Sequence, residues 1–458
     1  MRVIICGAGQ VGSNIARQLS REGNEVTLVD QNADLIKKIG DELDVRGMVG
    51  HASHPDVLEA AGAQEADMII AVTYSDEVNM VAAQVAHSLF DVPKKVARIR
   101  SQQYLLPIWA DLYSRDHLPI DVIISPEVEV AHAIARRLKV PGAFDMVSFA
   151  EGKVQVIGVR LDESCPIVNT PLRQLTELFP DLNIVVVGIY RNGKMIVPTS
   201  NDQMFPGDEV YFAADVGHVG RAMPLFGHEE QEARSVVIVG GGNIGLHLAK
   251  IIENDMKNVS LKIIERDRKR AEKIQEELEK SIVLNGEALD PDILNEANVS
   301  RAETVVALTN DDEANILSSL LAKGQGAETA ITLINNPIFG NLITDLGIDV
   351  VVDPRATTVS EILRHIRRGR IRGLHSFQDG AAEVVEGEAL ETSKLVGKEL
   401  RNVKLPKGTI IGAILRDEEV VIPRGDTVIK THDRVVIFAL RNTVRKVEEM
   451  FSVSLEFF

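Results

Sequence analysis

A glycine pattern with an apolar run before it and a helical pattern after it occurs twice in this chain, and few folds can hold it. Val3-Ile4-Ile5-Cys6 runs into Gly7-Ala8-Gly9-Gln10-Val11-Gly12, which opens an amphipathic stretch through Ile15, Ala16 and Leu19. The order is strand, tight turn, helix. In such a turn the first glycine permits the reversal, the second lets a pyrophosphate approach the backbone, and the third lets helix and strand pack closely. The phosphates then face the N–H-rich, positive end of the helix. A second apolar run, Val26-Thr27-Leu28-Val29, ends on Asp30, 18 residues after Gly12. An acid at that point accepts hydrogen bonds from ribose hydroxyls. A lone glycine triplet is weak grounds for a nucleotide site; the flanks, the acid and the recurrence strengthen it.

The recurrence is ordered. Val236-Val237-Ile238-Val239 precedes Gly240-Gly241-Gly242-Asn243-Ile244-Gly245, so Gly7, Gly9 and Gly12 map onto Gly240, Gly242 and Gly245 with a constant shift of 233. Glu265 closes Leu261-Lys262-Ile263-Ile264 and replaces Asp30. Gly50 and Pro55 map onto Gly286 and Pro291 with a shift of 236, and the stretch from Ala71 to Asn79 maps onto Ala307 to Asn315 at the same shift. Pro198 and Asp208 map onto Pro423 and Asp433, both shifted by 225. The chain therefore reads as a duplication in the order N1–C1–N2–C2, with N units at 1–124 and 234–355 and small C modules at 143–227 and 373–454.

Within N1, candidate strands end near Cys6, Val29, Val49, Val72, Arg100 and Ile124, with helical patterns between them such as Glu77 to Phe90, where Val81, Val85 and Leu89 stand four apart. Short apolar strands joined by helices predict an α/β fold: a doubly wound, Rossmann-like parallel sheet in each N unit, strand order 3-2-1-4-5-6, with the ligand at the switch point beside the first strand. Thr73 is placed to bond that ligand and Asp76 to cap the next helix. In Ala97-Arg98-Ile99-Arg100, arginines alternate with apolar residues in a buried strand. Arg98 either reaches a phosphate or forms an ion pair at the strand end. In the second copy its place is taken by Leu333, and His51 becomes Glu287. The second crevice is thus expected to lack the phosphate-facing cation and to take a different or a weaker nucleotide. His51 and His54 have no nearby cysteine or third histidine, so a metal site is not the reading. Ser125-Pro126 opens a connecting helix, Glu127 to Leu138, which Val140-Pro141-Gly142 stops.

The C modules change character. Strand alternation in Lys153 to Val159 and Ile184 to Tyr190, with turns at Arg191-Asn192-Gly193-Lys194 and Pro206-Gly207-Asp208, predicts a small α+β module. Tyr190 and Lys194 have the spacing of the short-chain dehydrogenase pair, which lies on a helix; Asn-Gly between them makes a hairpin instead. A basic helix is expected between N2 and C2, with Arg364, His365, Arg367, Arg368, Arg370 and Arg372. It is either a solvated face or a contact with an acidic partner or with that partner's membrane-facing surface.

Composition narrows the function classes. Acidic residues number 67 against 50 basic, a net charge of −17, and both halves of the chain are acidic. That weighs against nucleic acid as a partner. Cys6 and Cys165 are the only cysteines, as in a reducing compartment without structural disulfides. No secretory-type start is expected, and no apolar run approaches the ~20 residues that cross a bilayer, so any membrane role is peripheral. Three readings remain. An NAD-dependent oxidoreductase with duplicated cofactor domains suits the N units, yet no credible proton donor stands in a substrate domain. A pure scaffold leaves both glycine motifs and their acids unexplained. A ligand-gated regulator uses all of them.

Taken together, GAGQVG at Gly7, GHASHP at Gly50, TYSDEVNM at Thr73, ARIR at Ala97, GGGNIG at Gly240 and TNDDEANI at Thr309 resemble the tandem RCK/KTN domain family, the regulators of potassium conductance that serve bacterial Trk potassium uptake. The resemblance covers essentially the whole chain. It implies N domains that bind NAD(H), and in some members ATP or ADP, and it implies no catalysis. It implies self-assembly into a ring, a homotetramer or dimer of dimers. It also implies attachment to the membrane potassium-translocating subunit of the Trk system, on the cytoplasmic face of the inner membrane. Carried over by motif, the first site comprises Gly7, Ala8, Gly9, Gln10, Val11, Asp30, Thr73, Tyr74 and Arg98; the second comprises Gly240, Gly241, Gly242, Asn243, Ile244, Glu265, Thr309 and Asn310.

Overall fold

The computed structural model describes every residue except 22, 180–181, 229–232, 257, 340–345, 367–370 and 452–458. N1 comprises β1 (Arg2–Cys6), α1 (Gln10–Arg21), β2 (Glu25–Asp30), α2 (Ala33–Glu42), β3 (Arg46–Val49), α3 (Pro55–Ala60), β4 (Met68–Ala71), α4 (Asp76–Phe90), β5 (Lys94–Arg98), β6 (Val122–Ile124) and α5 (Pro126–Lys139). The six strands are parallel in the order β3-β2-β1-β4-β5-β6. The chain leaves β1 towards β2 on one side and later fills β4 on the other, so a crevice opens above the carboxyl end of β1. β5 stops at Arg98, short of Arg100, because the Asp76 carboxylate accepts the N–H groups of Arg100 at 3.0 Å and Ser101 at 2.8 Å and draws them away from the sheet. Asp76 is therefore not the cap of α4; the Ser75 hydroxyl accepts the Val78 N–H in that role.

C1 follows with β7 (Ala143–Phe149), β8 (Val154–Arg160), α6 (Leu172–Leu178), β9 (Ile184–Arg191), β10 (Lys194–Ile196), β11 (Glu209–Asp215) and α7 (Val219–Ala222). Its antiparallel sheet has the order β10-β9-β11-β8-β7. Asn192 and Gly193 take positive φ in the β9–β10 hairpin, which puts Tyr190 opposite Met195 in a sheet, as the Asn-Gly turn requires.

N2 and C2 repeat the plan. N2 holds β12 (Ser235–Val239), α8 (Asn243–Asp255), β13 (Ser260–Glu265), α9 (Arg268–Glu277), β14 (Ile282–Asn285), α10 (Pro291–Glu296), β15 (Thr304–Ala307), α11 (Asp312–Gln325), β16 (Thr329–Leu333), β17 (Val350–Val352) and α12 (Pro354–Ile366). Its sheet runs β14-β13-β12-β15-β16-β17. C2 holds β18 (Ile371–Phe377), β19 (Ala382–Glu388), β20 (Thr409–Arg416), β21 (Glu419–Val421), β22 (Arg434–Leu440) and α13 (Val444–Met450), with the order β18-β19-β22-β20-β21. The C copies share a buried clamp: Arg191 grips Asp208 through two nitrogens, and Arg416 grips Asp433 in the same way.

The two N units exchange their last helices. Val130, Ala131, Ile134, Ala135 and Leu138 of α5 are buried in the core of N2, beside α8. Ile362 and Leu363 of α12 are buried in the core of N1, beside α1. Each buried Val, Ile or Leu among them stabilises the junction by about 1.5–3 kcal/mol, so the N units cannot separate without exposing both helices. C1 and C2 also share a core, where Tyr211 of β11 meets Phe377 of β18 at 4.8 Å between ring centroids.

The stripe Val81, Val85, Leu89 that marks α4 as a helix is not the face it buries: Met80, Ala82, Ala83 and Ala86 are buried, while Val81 and Leu89 are exposed. Small residues let α4 lie close on the sheet, and the branched stripe is left outside. The expected basic helix is described as Pro354–Ile366, and Arg372 lies in β18, paired with Glu388 at 2.5 Å. Arg367, Arg368 and Arg370 lie outside the described residues, as does the side chain of Arg364. Among the described residues no helix is long and apolar enough to cross a membrane.

Candidate functional site

The three glycines of each turn have separate duties. Gly7 has φ +109°, and a Cβ there would sit 2.9 Å from the Val72 carbonyl oxygen; a Cβ on Gly12 would lie 1.8 Å from the Gly7 carbonyl oxygen. These two hold β1, α1 and the β4 end together. A Cβ on Gly9 would meet nothing within 4 Å, so the space above it is open at the start of α1. Gly240, Gly245 and Gly242 repeat this arrangement, with φ +108° at Gly240 and a 2.1 Å approach at Gly245.

The acids tie the turns to the next helix. Asp30 accepts the Ala8 N–H at 2.7 Å and the Asn32 N–H at 2.8 Å. Glu265 accepts those of Gly241 and Asp267, each at 2.8 Å. Behind the crevice, Asn79 is fully buried and makes four bonds: its Oδ1 accepts from the Thr73 N–H and hydroxyl, and its Nδ2 donates to the carbonyls of Thr73 and Arg98. Asn315 does the same with Thr309 and Leu333. Both asparagines end the repeated stretches, which was the available sequence signal for them. Asp312 likewise repeats Asp76, accepting the N–H groups of Asn335 and Asn336.

Both crevices open into one cavity of about 960 Å³. From N1 its wall includes Gly7, Gly9, Gln10, Val11, Asp30, Thr73, Tyr74 and Arg98; from N2 it includes Gly242, Asn243, Ile244, Thr309 and Asn310. Ala8, Gly240, Gly241 and Glu265 stand outside that wall. The Thr73 hydroxyl donates to Asn79 at 2.7 Å, and Tyr74 is 86% exposed.

Arg98 does not make the ion pair that one reading of the sequence allowed. Its Nη2 donates to the Thr73 carbonyl at 2.7 Å, its buried Nε has no partner, and it pairs with no carboxylate among the described residues. Burial, and then the charge of Arg100, lower its pKa. An acceptor group entering the cavity would relieve both. Arg100 takes the ion pair instead, with Glu127 at the start of α5 at 3.0 Å. Burial works against the Arg100 charge, and the hydrogen bond and charge of Glu127 more than offset it. The second Glu127 oxygen is buried without a partner.

The expectation that the second crevice lacks a cation is corrected. Leu333 does replace Arg98, but Arg270 of α9 stands on the cavity wall where α2 has Leu35, and Arg355 opens α12 where α5 has Glu127. The wall therefore carries Arg98, Arg100, Arg270 and Arg355 against Asp30 and Glu127, in a chain of net charge −17. His51 and His54 stack with centroids 4.6 Å apart, and His51 Nδ1 meets the Ser53 hydroxyl at 2.8 Å. Among the described residues no group of three or more His, Cys, Asp or Glu is arranged to hold a metal ion.

Comparison with known proteins agrees with this layout. The TrkA-N domain family matches residues 3–126 and 236–354, and the TrkA-C domain family matches 156–227 and 384–452. The chain is 54% identical to the Trk system potassium uptake protein TrkA of Azorhizobium caulinodans, across 100% of both chains. It is 44% identical to that of Vibrio alginolyticus, across 99% of both. In fold it is similar to the GsuK RCK domain, at TM-score 0.59 and 17% identity over 98% of this chain and 94% of that one. It is also similar to the GsuK channel bound to NAD, at TM-score 0.60 and 16% identity over 98% and 78%.

Proposed function

The chain belongs to the family of Trk system potassium uptake proteins TrkA, and from that premise we propose that it is a nucleotide-responsive subunit that gates potassium uptake through a membrane partner. The observation that carries this is the shared cavity, where two glycine turns and four arginines face one space. The N–H groups at the starts of α1 and α8 take the phosphates, and Asp30, on the cavity wall, takes the ribose hydroxyls of the first site; Glu265 is its counterpart in the second copy but lies off that wall. The open space over Gly9 and Gly242 and the unpartnered Arg98 Nε fit such a ligand. NAD(H) is the first candidate, supported by the resemblance and by the NAD-bound channel of similar fold, with ATP or ADP as the other.

Because N1 and N2 each supply part of the wall, a ligand held there sets their spacing. The exchanged helices α5 and α12 carry a change of spacing into C1 and C2, which follow them directly in the chain. The shift can be no larger than the difference in nucleotide affinity between the two states. The partner is the potassium-translocating subunit of the Trk system, met at the cytoplasmic face of the inner membrane. Copies of the chain form a ring, a homotetramer or dimer of dimers. α4 and α11 each expose apolar side chains, with Val81 and Leu317 at the same place in the repeat, Leu89 further along α4 and Leu321 further along α11. Exposed apolar residues on both helices give copies of the chain surface to pack against one another.

The test is potassium flux through the co-reconstituted membrane subunit, measured against NADH, NAD, ATP and ADP. Flux that changes with the nucleotide supports the reading. Flux indifferent to nucleotides that calorimetry shows to be bound overturns it.

A further inference from the structure

The two halves of the cavity carry their cations in different places. In the second half, Arg270 Nε donates to the Gly241 carbonyl at 2.8 Å, and its Nη2 lies 3.5 Å from the Asn243 Oδ1. Its guanidinium thus touches the residues on both sides of Gly242, the glycine with nothing within 4 Å of a Cβ. The turn is held close to α9 on that side: a Cβ on Gly241 would fall 2.4 Å from Ile274 Cδ1 and 3.0 Å from a Glu265 carboxylate oxygen. In the first half the same helix position is Leu35, which offers no charge. There the cation is Arg98, anchored on the Thr73 carbonyl beyond the β4 end, where the second half has Leu333.

The seat over the middle glycine is where a Rossmann-type turn receives the phosphate nearest the adenosine, and Arg270 straddles it. Arg98 stands at the end of β5, two strands from the turn that ends β1, so it is placed for a group of the ligand beyond the first phosphate. Resting on the nucleotide reading above, we infer that Arg270 is a binding residue for the adenosine 5′-phosphate. The second half then takes AMP, whereas the first half takes only nucleotides that continue beyond it. AMP, ADP, ATP and NAD share the adenosine 5′-phosphate, so the second half is anchored on what they have in common. A site discriminates only through contacts to the part that differs, and in the first half Arg98 makes such a contact.

The experiment is calorimetric titration of the full chain with AMP and with ATP, using wild type, Arg270→Leu and Arg98→Leu. Arg270→Leu restores the residue of the first copy at a partly exposed position, and Arg270→Gln serves as a second variant should leucine impair folding. The expected result is one AMP per chain. Arg270→Leu and Arg270→Gln should weaken it at least about tenfold, the usual scale for a charge-assisted contact. Arg98→Leu should leave it within about twofold and should weaken one ATP site instead. AMP binding that survives the loss of Arg270, two AMP per chain, or equal sensitivity to both substitutions overturns the assignment. ATP or NADH binding without any AMP binding overturns it while leaving the nucleotide reading in place; no binding of any nucleotide removes the reading on which it rests.

Discussion

The second and third glycines of the first turn, Gly9 and Gly12, should fail in opposite ways when each is changed to alanine. A Cβ on Gly12 would stand 1.8 Å from the Gly7 carbonyl oxygen, where real contacts do not fall below 3.0 Å, so the start of α1 must move more than 1 Å from the turn. Neither partner is a flexible side chain, and Gly7 is itself pressed against the Val72 carbonyl at 2.9 Å. Forced overpacking costs about 1–3 kcal/mol, and the upper end applies to a backbone clash, which for a unit of this size is a fall of about 10 °C in its melting transition. Gly9 meets nothing within 4 Å and has no positive φ. Alanine there costs at most about 1 kcal/mol as the residue before α1. Its methyl group, however, occupies the phosphate seat and should weaken nucleotide binding at the first half by about tenfold or more, or 1.4 kcal/mol. Differential scanning calorimetry reads the first effect and isothermal titration the second. Gly12→Ala melting as wild type would refute the packing argument; Gly9→Ala binding as wild type would refute the placement of the phosphates.

Asp30→Ala should weaken nucleotide binding at the first half about tenfold or more while the sheet stays folded, with a stability cost of about 1–2 kcal/mol from the freed Ala8 and Asn32 N–H groups; unchanged affinity in calorimetry would take Asp30 out of the site. Arg98→Ala should weaken ATP and ADP more than NAD, and equal losses would remove its phosphate role. Acid should loosen the N1–N2 junction. His132 of α5 and His247 of α8 have pKa values lowered from 6.5, by burial first and then by the charges of Arg136 and Lys250 respectively. The unfolded chain takes up protons near pH 6.5 that the folded chain resists, so stability present at neutral pH is lost as pH falls below about 6.5. His247→Gln should flatten that slope in thermal melts between about pH 7 and 5, and an unchanged slope would show that these histidines do not set it.

The sheet order was legible because short apolar strands, a glycine turn and an acid at the second strand end leave few ways to wind a parallel sheet. The Asn-Gly hairpin was legible because its backbone demands are local. The exchange of α5 and α12 was not. Val130, Ile134 and Leu138 announce a buried face, but periodicity does not say which sheet covers it, and here that sheet belongs to the other copy. The same gap hid the shared cavity, since two crevices read separately give no sign that they meet. Asp76 looked like a helix cap, yet its carboxylate serves backbone 24 residues away. The Arg98 position becomes Leu333 in the repeat, which by itself implies a second site without the phosphate-facing cation. Pairing Leu35 with Arg270 would have shown the charge had moved, although not that it spans Gly242.

On the proposed function, this chain binds nucleotides in order to respond to them, without chemistry on them. Titrating the full chain with NADH in a calorimeter, while following the absorbance of the reduced nicotinamide, tests it most directly. A nucleotide-responsive regulator gives saturable heat with constant absorbance, and weaker heat for Asp30→Ala. No heat with NADH, NAD, ATP or ADP would contradict the site, and steady loss of the reduced nicotinamide signal would contradict the regulatory reading.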